Sequence, residues 1–233
     1  MIRMDGDTES RGVRCVREPG RARWLCGPLF ALLTQLGGCG ATQFQVQHDI
    51  PEPLVVRIPV VVGFHVPAAF REAVHREERD GTEYVIEIGQ AQADGFGRLM
   101  AAMFTRSVPV AAANAGAATD PEIRGVLEPV LEDFSFVTPR DTGTPLYAVS
   151  LKYRINAYRP ACEFVDSWTF TGYGTQPGSQ VPGQGKALLQ KAASVAMRDA
   201  GAKIAVELRE QAIVRGLIEA PDAARSGEIQ PPR

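Results

Sequence analysis

Between Lys186 and Ile213 apolar side chains recur at Leu189, Ala192, Ala196, Ala200, Ile204 and Leu208, the spacing of one face of a long helix. Alanine at three of these positions leaves little bulk on the stripe, which suits close packing on a sheet. The chain just before it supplies strands. Tyr147, Val149, Leu151, Tyr153 and Ile155 alternate with Ala148, Ser150, Lys152, Arg154 and Asn156, a half-buried strand pattern. Arg159-Pro160-Ala161 can close a hairpin into Cys162–Tyr173, where Phe164, Trp168 and Phe170 share a face and Asp166 lies in register with them. Upstream, Val130, Glu132, Phe134 and Phe136 form one face of another strand, followed by a turn from Asp141 to Pro145. Leu54–Val66 is rich in β-branched residues, and Pro59 within it points to an edge strand or a bulge. Arg71–Asp80 reads as a charged helical stretch, Asp80-Gly81 as a turn, and Tyr84–Ile88 as a short strand. Phe96, Leu99, Met100, Met103 and Phe104 mark a second amphipathic helix, Ala111–Ala118 a loose loop, and Gly172–Gly185 a loop rich in Gly, Pro and Gln. Together these elements predict a single α+β domain over 54–214. It has two layers, with two helices on one face of a mixed or antiparallel sheet of about five strands.

A different pattern governs the first forty residues. At 45% hydrophobic and 22% charged the chain as a whole is no disordered polymer. Its 25 basic against 27 acidic residues give no domain-wide positive excess, which argues against nucleic acid as a partner. Yet Arg11, Arg14, Arg17, Arg21 and Arg23 stand against the single acid Glu18, and Trp24 to Gly38 then runs without a charge. A positive segment followed by an apolar run of about 15 residues fits an export signal and falls short of the roughly 20 that a spanning helix needs. The run ends at Leu36-Gly37-Gly38-Cys39. This closely resembles the lipobox of bacterial lipoproteins, with Leu at −3, small residues at −2 and −1, and then the cysteine. The resemblance implies cleavage between Gly38 and Cys39 and lipidation of Cys39. Gly37 and Gly38 let an extended backbone enter a narrow peptidase cleft, and the Cys39 thiol is the nucleophile that takes a thioether-linked diacylglyceryl group. Met1–Ser10 is acidic and departs from the pattern, which a downstream translation start would restore.

On this reading 1–38 is a signal peptide, 39–53 a lipidated tether and 215–233 a disordered tail. Gly40–Pro53 is polar, with two prolines near its end, and extended it would reach at most roughly 45 Å. Each buried CH₂ contributes about 0.8 kcal/mol, and two or more acyl chains anchor stably where one does not. The membrane is therefore a partner through Cys39. In the enterobacterial sorting rule an Asp after the cysteine retains a lipoprotein in the inner membrane. Gly40 stands there, so the resemblance implies the periplasmic face of the outer membrane.

Cys15 and Cys26 leave with the signal and Cys39 takes lipid, so Cys162 alone remains, predicted to be buried or, as the other option, linked between molecules. His48, His65 and His75 form no metal-binding spacing, and no Cys-x-x-Cys exists, so neither metal nor cofactor is expected. There is no Gly-x-Ser-x-Gly elbow. Gly178–Lys186 comes nearest to a phosphate-binding loop, but its spacing fails and Ala187 stands where Ser or Thr should follow the lysine, so it is taken as a plain loop. Glu77-Glu78 and Glu132-Asp133 read as solvated acids, and no catalytic residue is assigned. The order of elements over about 54–214 resembles periplasmic domains of small outer-membrane lipoproteins, among them those of lipopolysaccharide assembly, curli secretion and penicillin-binding-protein activation. That resemblance carries no shared motif. It implies a non-enzymatic role in envelope assembly or transport, binding another envelope protein or polymer through exposed Tyr158 or Tyr173, or through an open edge near Pro59. The alternatives are a lipoprotein holding a lipid or small apolar ligand near Phe96, Met100 and Met103, and a periplasmic enzyme of unknown class.

Overall fold

The computed structural model describes residues 41–46, 50 and 52–214, apart from the side chains of 117 and 212–214. The chain divides into units 1–38 and 39–233, and every described residue lies in the second. Along it run β1 (Ala41–Gln45), β2 (Ile58–Phe64), α1 (Ala68–Arg71), β3 (Val74–Arg79), β4 (Thr82–Glu87), α2 (Gly89–Met103) and β5 (Phe104–Pro109). Then follow α3 (Gly116–Thr119), β6 (Ile123–Val137), α4 (Pro139–Thr142), β7 (Leu146–Tyr158), β8 (Phe164–Pro177) and α5 (Gly185–Val214). The class is α+β, with a mixed five-stranded sheet in the order β5-β2-β6-β7-β8 and a three-stranded sheet in the order β1-β4-β3. Strands β5, β2 and β6 run parallel, and β6, β7 and β8 form an antiparallel meander.

The long helix stands where the alanine stripe places it. Leu189, Ala192, Ala196, Ala200, Ile204 and Leu208 are all buried, and the glycines of β8 meet them. A Cβ at Gly172 would lie 2.0 Å from the Ala196 carbonyl oxygen, and one at Gly174 2.0 Å from that of Ala192. Sheet and helix therefore touch backbone to backbone. One main core joins α2, α5 and the inward faces of β2, β6, β7 and β8, with Phe44 and Ile86 of the small sheet in it. A smaller cluster of Val110, Ile123 and Val126 gathers separately, with Tyr158 packed against it.

Four expectations need correction. The segment read as a tether contains a strand: β1 pairs in parallel with β4, and Phe44, Val46 and Ile50 are buried. The period-two spacing of Phe44 and Val46 was hidden in a polar run, and long-range pairing supplies the strand. Pro59 does not lie on an edge strand, because β2 has neighbours on both sides; it sits instead at the register shift between Ile58 and Val61, where a missing N–H removes no ladder bond. The charged stretch is not a helix but strand β3, closed onto β4 by Asp80 (φ 49°) and Gly81 (φ 70°). Two successive positive φ angles match the twist of a two-residue hairpin, which is why Asp-Gly serves there. Alternation then aligns His75, Glu77 and Arg79: His75 Nε2 is 3.0 Å from Glu77 Oε2, and Arg79 Nη2 donates to that carboxylate at 2.8 Å. Finally, Cys162 is exposed, in the β7–β8 turn at φ 76°.

Candidate functional site

The cavity with the most distinctive lining encloses about 400 Å³ among β1, β4, α4, β7 and the start of α5. Strand geometry sets one wall. Thr42 pairs with Tyr84 across β1 and β4, and Thr82, two residues earlier, lies on the same face of β4. Opposite, α4 is fixed by a capping box in which the Thr138 N–H and hydroxyl both donate to Asp141 Oδ2, at 2.6 and 2.9 Å. This holds Pro139 and Arg140 at the rim. Gly143 (φ 67°) then turns the chain into β7, which brings in Tyr147. Gly178 donates its N–H to the Pro145 carbonyl at 2.7 Å, drawing the loop before α5 against the start of β7. Ser179, Gly185, Lys186 and the buried Leu189 complete the lining. A Cβ at Gly185 would come within 2.6 Å of the Tyr147 hydroxyl, so a glycine there is what leaves room for that oxygen.

No acidic residue lines this cavity, whereas Arg140 and Lys186 both do. Neither cation forms an ion pair among the described residues. Burial raises the Tyr84 phenol above its ordinary value, and the charge of Arg140 opposes that rise. Asp141, next to Arg140 in the chain, is held below the usual range, first by the Thr138 backbone N–H, with the Thr138 hydroxyl and Arg79 adding to it against burial. A depressed folded pKa stabilises the protein above the unfolded value and loses that contribution as pH falls through the folded one. Asp141→Asn is therefore expected to cost about 1 kcal/mol at neutral pH through the cap. It is also expected to flatten the acid-side fall of the melting temperature below about pH 4, read by thermal unfolding across pH.

A second polar group joins three strand regions. Glu128 Oε1 accepts from Asn156 Nδ2 and the Tyr158 hydroxyl, each at 3.2 Å, while His65 Nε2 lies 3.8 Å from Glu128 Oε2. His65 Nδ1 sits 3.2 Å from the Val110 carbonyl, which can only accept. Nδ1 therefore donates to that carbonyl, and Nε2 faces the carboxylate. Burial, followed by the Glu128 charge, raises the Tyr158 phenol. With Glu128 tied to Asn156 and Tyr158, the arrangement secures the ends of β6 and β7.

The residues singled out from sequence fall unevenly. Gly38 and Cys39 lie outside the described residues, as does the 215–233 tail. Tyr158 is half-buried, edge-on to Phe164 at 5.8 Å, and its hydroxyl is engaged, so it presents no open patch. Tyr173 is 61% exposed, with Lys203 Nζ 5.1 Å from its ring centre. Phe96, Met100 and Met103 are packed core, fully buried, with Phe96 edge-on to Phe70 and Tyr153. They line none of the cavities described here. Asp166 is half-buried and accepts the Ser167 N–H. Glu132 meets Lys152 and Arg154, at 3.1 and 3.4 Å. Among the described residues no group of three or more His, Cys, Asp or Glu side chains is placed to hold a metal ion. Arg140 carries no signal in the sequence, and Lys186 stands out there only at the end of a phosphate-loop spacing that fails; separate elements bring the two to one cavity.

No family model matches the chain, and no curated protein matches it. Solved structures similar to it include a DUF330 protein from Xanthomonas campestris, at 11% identity and a TM-score of 0.39 over 73% of this chain and 98% of that one. A minor lipoprotein from Acinetobacter baumannii is similar at 6% identity and a TM-score of 0.41, over 67% of this chain and 95% of that one. The hypothetical protein CT253 from Chlamydia trachomatis is similar at 9% identity and a TM-score of 0.41, over 67% and 99%.

Proposed function

We propose that the protein is a cell-envelope lipoprotein, anchored through a diacylglyceryl thioether on Cys39, that acts by binding and not by catalysis. The observation that carries this reading is Leu36-Gly37-Gly38-Cys39 at the end of a charge-free run behind five arginines. The folded chain refines it. Strand β1 begins at Ala41, two residues after Cys39, a separation of at most about 7 Å. An acylated Cys39 would thus hold the domain against the bilayer, with no tether between them. Gly40 at the sorting position favours the outer membrane, and the partner on this reading is another envelope protein or polymer.

Intact mass and membrane fractionation of the wild type and of Cys39→Ala, both made in a Gram-negative host, test the anchor. The expected result is acyl mass on the wild type in the outer-membrane fraction, with neither acyl mass nor outer-membrane retention in the variant. Unmodified masses for both, differing only by the sulfur that the substitution removes, would overturn it.

A further inference from the structure

We propose that the cavity between β1, β4, α4 and the start of α5 is a phosphate-binding site, with Arg140 and Lys186 as its charge partners and an anionic phospholipid headgroup as its ligand. The headgroup assignment rests on the lipoprotein reading; the phosphate chemistry does not. Three observations converge. First, two cations from elements far apart in the chain line one cavity that no acid lines, in a protein whose net charge is −2. Cations that line a cavity with no acid in its lining favour an anion held between them. Second, Thr42, Thr82, Tyr84, Tyr147 and Ser179 contribute hydroxyls to the same lining, and hydroxyl donors beside a guanidinium and an ammonium suit the several oxygens of a phosphate ester. The volume, about 400 Å³, is within the range of small-ligand sites. Third, Thr42 is the third residue after Cys39, so the chain between them spans at most about 10 Å. If Cys39 carries lipid, this cavity is brought to the depth of the headgroups. Its cations then meet the phosphates of neighbouring lipids, and the headgroup contact orients a domain that the anchor alone leaves free to rotate.

A headgroup phosphodiester and free phosphate share the chemistry, and two arms separate them. Both use the full chain carrying Cys39→Ala, alone and with Arg140→Ala and Lys186→Ala, so that acylation does not enter; the wild-type mass reports on the anchor separately. In the first arm, flotation with vesicles of phosphatidylglycerol and phosphatidylcholine is compared with vesicles of phosphatidylcholine alone. The apolar run at 24–38 and the arginines before it act equally in both chains and cancel. The expected result is a preference for the anionic vesicles that falls about tenfold in the double variant. In the second arm, inorganic phosphate is titrated while backbone resonances of Arg140, Gly185 and Lys186 are followed, and shifts that the double variant loses identify a soluble phosphate ligand of the same site. Equal vesicle preference in both chains, together with no variant-sensitive phosphate shifts, overturns the proposal. Arg140 and Lys186 are exposed, so an unchanged melting temperature is expected for the double variant, and restored binding with Lys186→Arg confirms that charge is what is read.

Discussion

Gly174→Val is expected to cost at least about 3 kcal/mol, a large fraction of the stability a domain has to lose. The first side-chain carbon would lie 2.0 Å from the Ala192 carbonyl oxygen and 2.4 Å from the Ala196 nitrogen. Those atoms are helix backbone, so relief requires lifting a 30-residue element off the sheet. Lifting it opens the seam of Leu189, Ala192, Ala196, Ala200, Ile204 and Leu208, where no flexible side chain can fill the gap. Gly172 meets the same obstacle at Ala196, so Gly172→Val is expected to behave alike. Thr175→Val, at an exposed position of the same strand, should change stability by less than about 0.5 kcal/mol. Urea midpoints of these variants decide the matter. A Gly174→Val midpoint near wild type would mean that α5 does not rest on β8 at this distance.

Phe96→Ala is expected to cost about 3–5 kcal/mol, the range for emptying a large aromatic position in a closed core. Phe96 is fully buried, with ring centroids 5.3 Å from Phe70 and 5.0 Å from Tyr153. Truncation loses those contacts and leaves a void that the sheet above and helix α5 beside it cannot close. The same substitution in the wall of a ligand pocket would cost far less, since water would already occupy the adjoining space. A urea titration therefore separates a packed interior from an apolar binding site at these residues. Tyr153 sharpens the contrast. Complete burial drives its phenol far above the ordinary value, and its hydroxyl has no hydrogen-bond partner among the described residues.

What could be read from sequence follows the range of the interactions involved. Helix α5 and strand β7 were legible because a single element carries its whole pattern: alanines at helical spacing in one, ten alternating residues in the other. The Asp80-Gly81 turn was legible for the same reason, since both left-handed residues are adjacent. Strand β3 was masked by charge density, because His75, Glu77 and Arg79 look like a solvated face until their mutual pairing is seen. Strand β1 has too few apolar residues to declare itself, and parallel pairing with a strand some forty residues away makes it. Strand β5 follows α2 without a break, and Phe104 was read as the end of that helix. The cavity was least legible of all. Arg140 follows a capping box, Lys186 opens a helix, Thr42 lies in what looked like a tether, and only the topology makes them neighbours.

Helix α5 also does something to β8 beyond covering it. Asp199 Oδ2 accepts the Tyr173 N–H at 2.9 Å, and Lys203 Nζ donates to the Thr171 carbonyl at 2.7 Å, while the two side chains pair with each other at 2.8 Å. These backbone groups would otherwise face outward from the last strand, and an acid and a base one helical turn apart occupy them as a neighbouring strand would. The border opposite is β5, which has no strand on its outer side among the described residues. The large sheet is thus one-sided in its valence. In a pair of copies joined β5 to β5, the outer border of the combined sheet on either side would be β8, the strand whose backbone groups at Thr171 and Tyr173 helix α5 already engages.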